Sequence, residues 1–564
     1  MIIPRPIKGQ FKMRLPLSDP RRAAFEKGCL AREDLGGIGK EGTMRPQRGR
    51  YYALLGISLT ALACSNGPAG FQEPPVVRSK DGALQTTLTA QERQIEVGGV
   101  RVTTRVYNDL FVPPTLVVEP GDTIFLKLNN FIDQDTNLHY HGMNVSPLEP
   151  GDNVFLTIAP GDTFDYEVHV PADHPEGMFY YHPHMHGLTE FQIGSGMSGA
   201  LIVDGILDPF PELSGITQRV MMLKDIQIVN GLVPNPPVSA NPTMRTLNGQ
   251  VNPTVTIQPN EVQLWRVGNI GADIYYDLQL EGHTLYEIAR DGNLHNQLVP
   301  RDHIMLPTSA RTEFLVVGGP PGQYAFLTRG ISMGPQGDTY PQTTLATLVS
   351  EGEAVPEIPL PQSFPQVADL RDAPLCCSRT FDFSETGDGS QFCINNTQFD
   401  PSFTNTTVQL GCVEEWTLNN CTGENHVFHI HQLDFQVIEQ NGQPADFIGR
   451  QDTVALDFRA ADAQNPDRCQ CDDSGNCTNC TCPTPADPRG SVKIRVPFTN
   501  PVILGDFVYH CHIGEHEDNG MMQRISVSET AGACEAGSPS SVDREAMTPA
   551  ERAVCNVSAG HMGH

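Results

Sequence analysis

The segment Tyr509-His510-Cys511-His512-Ile513-Gly514-Glu515-His516-Glu517-Asp518-Asn519-Gly520-Met521 gathers three His, one Cys and one Met. Imidazole, thiolate and a weakly bound thioether together form a donor set that suits copper. Cys511, His516 and Met521 supply that set except for one further His. Upstream, Gly505-Asp506-Phe507-Val508-Tyr509 alternates and is rich in β-formers, so it reads as a strand. Side chains alternate along a strand, so His510 and His512 face one way and Cys511 the other. One short segment can thus serve two metal centres. A His-rich surface turn would explain any one of these His, but not Cys511 flanked by two His with His516 and Met521 beyond.

The remaining donors recur in three related blocks. Val118-Glu119-Pro120-Gly121-Asp122 precedes Leu128-Asn129-Asn130. Ile257-Gln258-Pro259-Asn260-Glu261 precedes Leu264-Trp265-Arg266-Val267-Gly268-Asn269. Val408-Gln409-Leu410-Gly411 precedes Glu415-Trp416-Thr417-Leu418-Asn419-Asn420. Nine residues beyond Asn130 and Asn420 stand His139-x-His141 and His429-x-His431; nine beyond Asn269 stand Leu278 and, two on, Leu280. A Gly-x-aromatic-x-aromatic landmark leads to His182 from Gly177, to Leu327 from Gly322 and to His510 from Gly505. These are three copies of one β-domain. Copies one and three carry donors and copy two carries Leu, as expected if metal lies between the outer copies and the middle one only bridges them.

The His fall into four motifs: His139-x-His141, His182-Pro183-His184, His426-x-x-His429-x-His431 and His510-Cys511-His512. On a strand, His-x-His presents both rings on one face. A single such pair is more often chance, but four at equivalent points of two repeats form a cluster. The motif set resembles that of three-domain multicopper oxidases of the bacterial laccase group over roughly residues 95–530. The resemblance implies three consecutive cupredoxin-like Greek-key β-barrels, an all-β fold. It implies type 1 copper at His426, Cys511, His516 and Met521, and type 2 copper at His139 and His429. A type 3 pair follows at His141, His182, His184, His431, His510 and His512, four coppers per chain. Also implied is one-electron oxidation of a phenolic or metal-ion donor coupled to four-electron reduction of O2 to water. The alternatives are a cuprous or metal-ion oxidase in copper homeostasis and, outside the enzymes, a copper-binding electron carrier. A carrier would leave eight His idle, and three repeats disfavour a two-domain nitrite reductase. Dense Met clusters, which mark cuprous specialists, are absent.

Reduction of O2 at a buried centre also needs protons. Glu517, next to His516, and Asp152, eleven residues after His141, are the candidate acids. The plainer roles are a hydrogen bond orienting a His for Glu517 and a turn for Asp152 in Gly-Asp-Asn. His186 extends the His182-x-His184 run but falls outside the motifs; His169, His174, His283, His295, His303 and the terminal His561 and His564 read as ordinary.

Composition frames the rest. The chain has 564 residues, 52 Gly, 46 Pro and 18% charged residues, which suits a turn-rich β protein. Residues 1–63 hold 12 Lys+Arg against 5 Asp+Glu, and the remainder 25 against 61. So acidic a body excludes nucleic acid as a partner. Within the basic part, Met44–Arg50 is a charged n-region, Tyr51–Ala63 a short apolar stretch, and Ala61-Leu62-Ala63-Cys64 a cleavage-like site. This reads as an export signal starting near Met44, with a lipid anchor at Cys64 favoured over simple cleavage and an envelope or periplasmic location. The expected organisation is residues 1–84 signal and linker, 85–206, 207–355 and 356–530 the three domains, and 531–564 a tail. Besides Cys29, Cys64 and Cys511, twelve Cys remain in or after the third domain; an exported protein would pair them. Five crowd a loop at 469–482, where thiolate metal binding is the alternative.

Overall fold

The computed structural model describes residues 69–237, 243–385, 391–458 and 482–530, with the backbone of two short strands at Gln470–Cys471 and Cys477–Thr478. The expected signal with Cys64, most of the 469–482 loop and the tail from 531 lie outside the described residues. Three pairs of sheets follow one another along the chain. The first pair has four and five strands, the second six and five, the third six and five. Each five-stranded sheet repeats the same pairing. Gly177–His182 lies beside His139–His141, Gly322–Thr328 beside Tyr276–Leu280, and Gly505–Cys511 beside His426–Ile430. Register puts His139 opposite His182 and His429 opposite His510. In the middle repeat, Leu278 lies opposite Thr328, and Leu278 and Leu280 are buried in an apolar core.

The repeated Asn has a structural reason. Asn130 Nδ2 donates to Ile158 O, Asn269 Nδ2 to Ile274 O and Leu306 O, and Asn420 Nδ2 to Glu424 O and Leu456 O. Each bonds a carbonyl of the loop that leads into the donor-bearing strand or its equivalent, Gln134 O, Ile274 O or Glu424 O, together with one beyond that strand, and so fixes where the strand starts. Trp265 and Trp416 are likewise equivalent: both are fully buried, and each indole donates to the residue two before it, Gln263 or Glu414. Burying such a ring contributes about 3 kcal/mol. Separate apolar cores fill the three repeats, and Met178, Tyr180 and Ile202 pack on Met222 and Ile270 where the first meets the second.

Candidate metal centres

The strand Gly505–Cys511 sends its side chains as alternation requires. Cys511 Sγ lies 3.7 Å from His426 Nδ1 and 3.5 Å from His516 Nδ1, and the two nitrogens are 3.0 Å apart. His516 comes from the one-turn helix Gly514–Asp518 that follows the strand. The far nitrogens are held elsewhere: His426 Nε2 is 2.8 Å from Thr422 Oγ1, and His516 Nε2 is 3.1 Å from Glu424 Oε1. Those anchors orient both rings with Nδ1 turned to the thiol, the tautomer control expected of metal-binding imidazoles. Val427 N–H donates to Cys511 Sγ at 3.4 Å. Met521 is fully buried in the same core, and its carbonyl accepts from Cys511 N. Burial opposes charge on His516, but Glu424 and Cys511 hold its pKa well above the ordinary value.

On the other face, His139, His141, His182, His184, His429, His431, His510 and His512 are all 3% exposed or less. His510 Nε2 is 3.2 Å from both His184 Nε2 and His431 Nε2. The His139 and His431 rings stack at 3.8 Å, as do His141 and His429. Burial holds the pKa of His139, His141, His182, His431 and His512 well down, so they are neutral, the form that ligates metal. Among the described residues, His139 Nε2, His182 Nε2, His429 Nε2, His431 Nδ1 and both nitrogens of His141 have no hydrogen-bond partner. An orphaned buried group costs about 1–3 kcal/mol. Several of these nitrogens fall into sets within 4.8 Å of one another. Bound copper satisfies such an arrangement, so the residues fit the metal that the donor set implies.

Both expected acids lie at the cluster. Asp152 is 3.0 Å from His139 Nδ1 and accepts from Tyr140 N at 3.0 Å and from Gln432 Nε2 at 2.6 Å; burial pushes its pKa up to about 6. Glu517 is fully buried, with Oε2 3.2 Å from His510 Nδ1 and Oε1 3.5 Å from His184 Nε2. Burial would raise its pKa, but His184 and His510 hold it well below the usual range.

A third carboxylate has no sequence signal. Asp452, fully buried, lies 3.4 Å from His141 Nε2 and 3.5 Å from His429 Nδ1, and its backbone carbonyl accepts from that Nδ1 at 2.9 Å. Arg311, from the middle repeat, grips it with two guanidinium bonds at 2.8 and 2.5 Å, and Asp291 accepts from Arg311 N at 2.8 Å. The middle repeat therefore does more than bridge: it supplies the cation that neutralises a carboxylate at the cluster. Gly142, directly after His141, has φ +79, and a Cβ there would overlap the Arg311–Asp452 pair. Glycine is required by both backbone and space.

The residues set aside stay apart. His186 is exposed and packs on Phe399, and His174 is held by Asn144 N and Pro175 O. Disulfides join Cys376 to Cys412 and Cys421 to Cys482, Cys377 and Cys393 are also disulfide-bonded, and Cys511 is free and buried. One feature of the site escaped the sequence altogether. A cavity of about 410 Å³ borders His516 and is walled by Glu190, Asp225, Asp273, Asp338, Glu424 and Glu515, drawn from all three repeats.

Multicopper oxidase family models match residues 89–206, 218–353 and 378–531. A multicopper oxidase of Staphylococcus haemolyticus is 25% identical over 474 residues, covering 81% of this chain and 92% of that one. A laccase of Bacillus subtilis is 22% identical, covering 75% and 90%. The fold is shared with a solved multicopper oxidase of Campylobacter jejuni described as a metallo-oxidase, with a TM-score of 0.68, 23% identity, and 82% and 96% covered. The chain belongs to the multicopper oxidases, copper-dependent oxidoreductases that use O2 as acceptor.

Proposed function

We propose that the chain is a four-copper oxidase that draws electrons singly from a donor at His426, Cys511, His516 and Met521. It delivers four of them to O2 at a cluster held by the eight remaining His. In this reading the first set binds type 1 copper, His139 and His429 type 2, and His141, His182, His184, His431, His510 and His512 the type 3 pair. Bound copper supplies the one-electron couple at the first site and the O2-reducing centre at the second. The chain supplies the wiring, because Cys511 is bonded through its backbone to His510 and His512, which reach the cluster. Glu517 and Asp152 hold and deliver protons, and Arg311 balances Asp452 so that the cluster floor keeps its shape.

The carrying observation is the position of Cys511: its sulfur is within 3.7 Å of two imidazoles while its sequence neighbours reach the other centre. Elemental analysis of the loaded protein should give four coppers per chain; one per chain would leave only a carrier. Cys511→Ser should remove the blue thiolate-to-copper absorption and abolish donor oxidation. A variant that stayed blue would refute the assignment.

For the donor, relatives named laccase and metallo-oxidase point to phenols and to metal ions. The acidic cavity at His516 favours a cationic donor. O2 uptake with Cu(I), Fe(II) and a neutral phenol compares them directly, and a kcat/KM higher for the phenol would reverse that preference. Export with a lipid anchor at Cys64 completes the reading, tested by mass spectrometry of the mature N-terminus; an unlipidated N-terminus would remove the anchor.

A further inference from the structure

The residue after His431 is Gln432, held at φ 62, in the left-handed region. A side chain there costs on the order of 1–2 kcal/mol that glycine would avoid. Its two ends show what the conformation gains. Gln432 Nε2 donates to Asp152 Oδ2 at 2.6 Å, and Asp152 in turn contacts His139. Gln432 Oε1 is buried with no hydrogen-bond partner among the described residues, and the residue borders a second cavity, of about 390 Å³. This cavity also involves all three repeats: Asn144 and Asp173 from the first, Asn293 from the second, Asp434 and Arg450 from the third. Asp434, 5% exposed, accepts from Asn144 Nδ2 at 3.1 Å and Asn293 Nδ2 at 2.8 Å. Asn144 Oδ1 is a second buried acceptor with no partner among the described residues. A polar space of this size with unfilled acceptors is suited to water.

The proposed reaction consumes four protons for each O2 converted to two waters, at a centre whose eight imidazoles are all but sealed. We infer that the cavity lined by Asp434, Gln432 and Asn144 is the proton port of the cluster. Asp434 takes protons up from water, and Gln432 is the positioning residue that holds Asp152 to receive them. The inference rests on the four-copper reading. Only protons move through the port; the electrons arrive separately through Cys511. Arg450 and Asp173 line the same cavity as Asp434, Asp452 and Arg450 act on its charge, and Asn144 and Asn293 bond it from the other two repeats. Burial lifts the Asp434 pKa to about 6, so it exchanges protons close to neutrality.

Gln432→Gly deletes the amide while relaxing the backbone, and Asp434→Asn keeps the shape but not the proton. Both variants should load four coppers and be reduced by donor at the wild-type rate. Reoxidation by O2 in stopped flow should slow by about 10²-fold, with a larger solvent isotope effect. Asp434→Asn should also abolish a carboxyl infrared band that titrates near neutral pH, in loaded and copper-free protein alike, and Asp434→Glu should restore both band and rate. A merely structural role would lower the melting temperature and leave the isotope effect and pH profile as in wild type; that result, or wild-type reoxidation in both variants, overturns the port. A wild-type protein that holds one copper or fails to reduce O2 overturns the reading beneath it instead.

Discussion

Two sets of carboxylates flank the segment from His510 to Met521, and they are built in opposite ways. On the cluster side, Asp152, Asp452 and Glu517 are 1% exposed or less, and each faces imidazole or guanidinium. On the donor side, Glu190, Asp225, Asp273 and Glu515 line one cavity, and Asp225 Oδ1 has no hydrogen-bond partner among the described residues. Burial and neighbouring carboxylates push Glu190 up to about 8 and Asp273 well above the usual range, and burial pushes Asp225 up to about 6. Charge on the first set is neutralised within the protein and serves to orient ligands and carry protons. Charge on the second set is only partly offset, by His516 beside Glu190 and Glu515 and by Lys224 and Arg245 beside Asp225, and the rest is a surplus that a cation from outside can relieve. Substitutions on the two sides should therefore fail in different half-reactions.

The largest effect belongs to Glu517. Glu517→Gln keeps the shape and removes the acid, so reoxidation by O2 should slow by about 10²–10⁴-fold, while donor reduction of the mononuclear site stays fast. Stopped-flow measurement separates the two steps, and the reverse pattern would move Glu517 to the donor side. Asp452→Asn comes next, because it takes the nearer carboxylate charge from Arg311 in a sealed site and leaves only Asp291, 3.6 Å away. Breaking a buried pair in this way costs about 3–5 kcal/mol, visible as a lower melting temperature with and without copper. An unchanged melting temperature would mean that the pair is not what holds the cluster floor.

How far these sites were legible in the sequence depends on how far apart their parts lie. The His motifs could be read because alternation on a strand is local: His139 and His141, or His510 and His512, share a face whatever surrounds them. The repeated Asn was visible as a landmark because Asn130, Asn269 and Asn420 hold the same kind of loop. In the middle repeat Leu278 and Leu280 pack in an apolar core, but reading that repeat as a bridge alone was too simple, since Arg311 meets Asp452 across 141 residues of chain. No spacing rule reports such a contact. The acidic cavity is hidden for the same reason: Glu190, Asp225 and Asp273 belong to two different repeats and have no shared pattern, and only folding brings them to His516. Gly142 was ordinary in the sequence until the Arg311–Asp452 pair showed what a side chain there would displace.

On the donor side the effects are smaller and selective. Removing two cavity carboxyls with Glu190→Gln and Asp273→Asn, groups whose raised pKa values leave them protonated near neutral pH until a cation displaces the protons, should raise KM for a cationic donor about tenfold, the equivalent of about 1.4 kcal/mol. KM for a neutral phenol should stay within about twofold, a difference of only a few tenths of a kcal/mol. Equal losses for both donors would show that the cavity shapes the site rather than attracting charge.

The pH dependence is the finest test. Glu190 and Asp225 have raised pKa values of about 8 and about 6, so between pH 6 and pH 8 both lose protons and the cavity gains negative charge. KM for a cationic donor should therefore fall as pH rises across that window, by a few-fold, and KM for a neutral phenol should not follow it. Stability should run the other way. A carboxyl whose folded pKa is raised favours the fold at pH values below its ordinary pKa, and that contribution is lost as pH rises through the folded value. Protein without a bound cation should then melt at lower temperature at pH 8 than at pH 6. A redox-inert divalent ion such as Zn(II) should recover the difference at pH 8 more than at pH 6, because it binds the charged cavity and not the protonated one. In Glu190→Gln/Asp273→Asn protein both the KM slope and the Zn(II) recovery should shrink together. If Zn(II) stabilised wild type and the double variant alike at pH 8, the ion would be acting elsewhere, and the cavity would lose its claim to be the cation's route to His516.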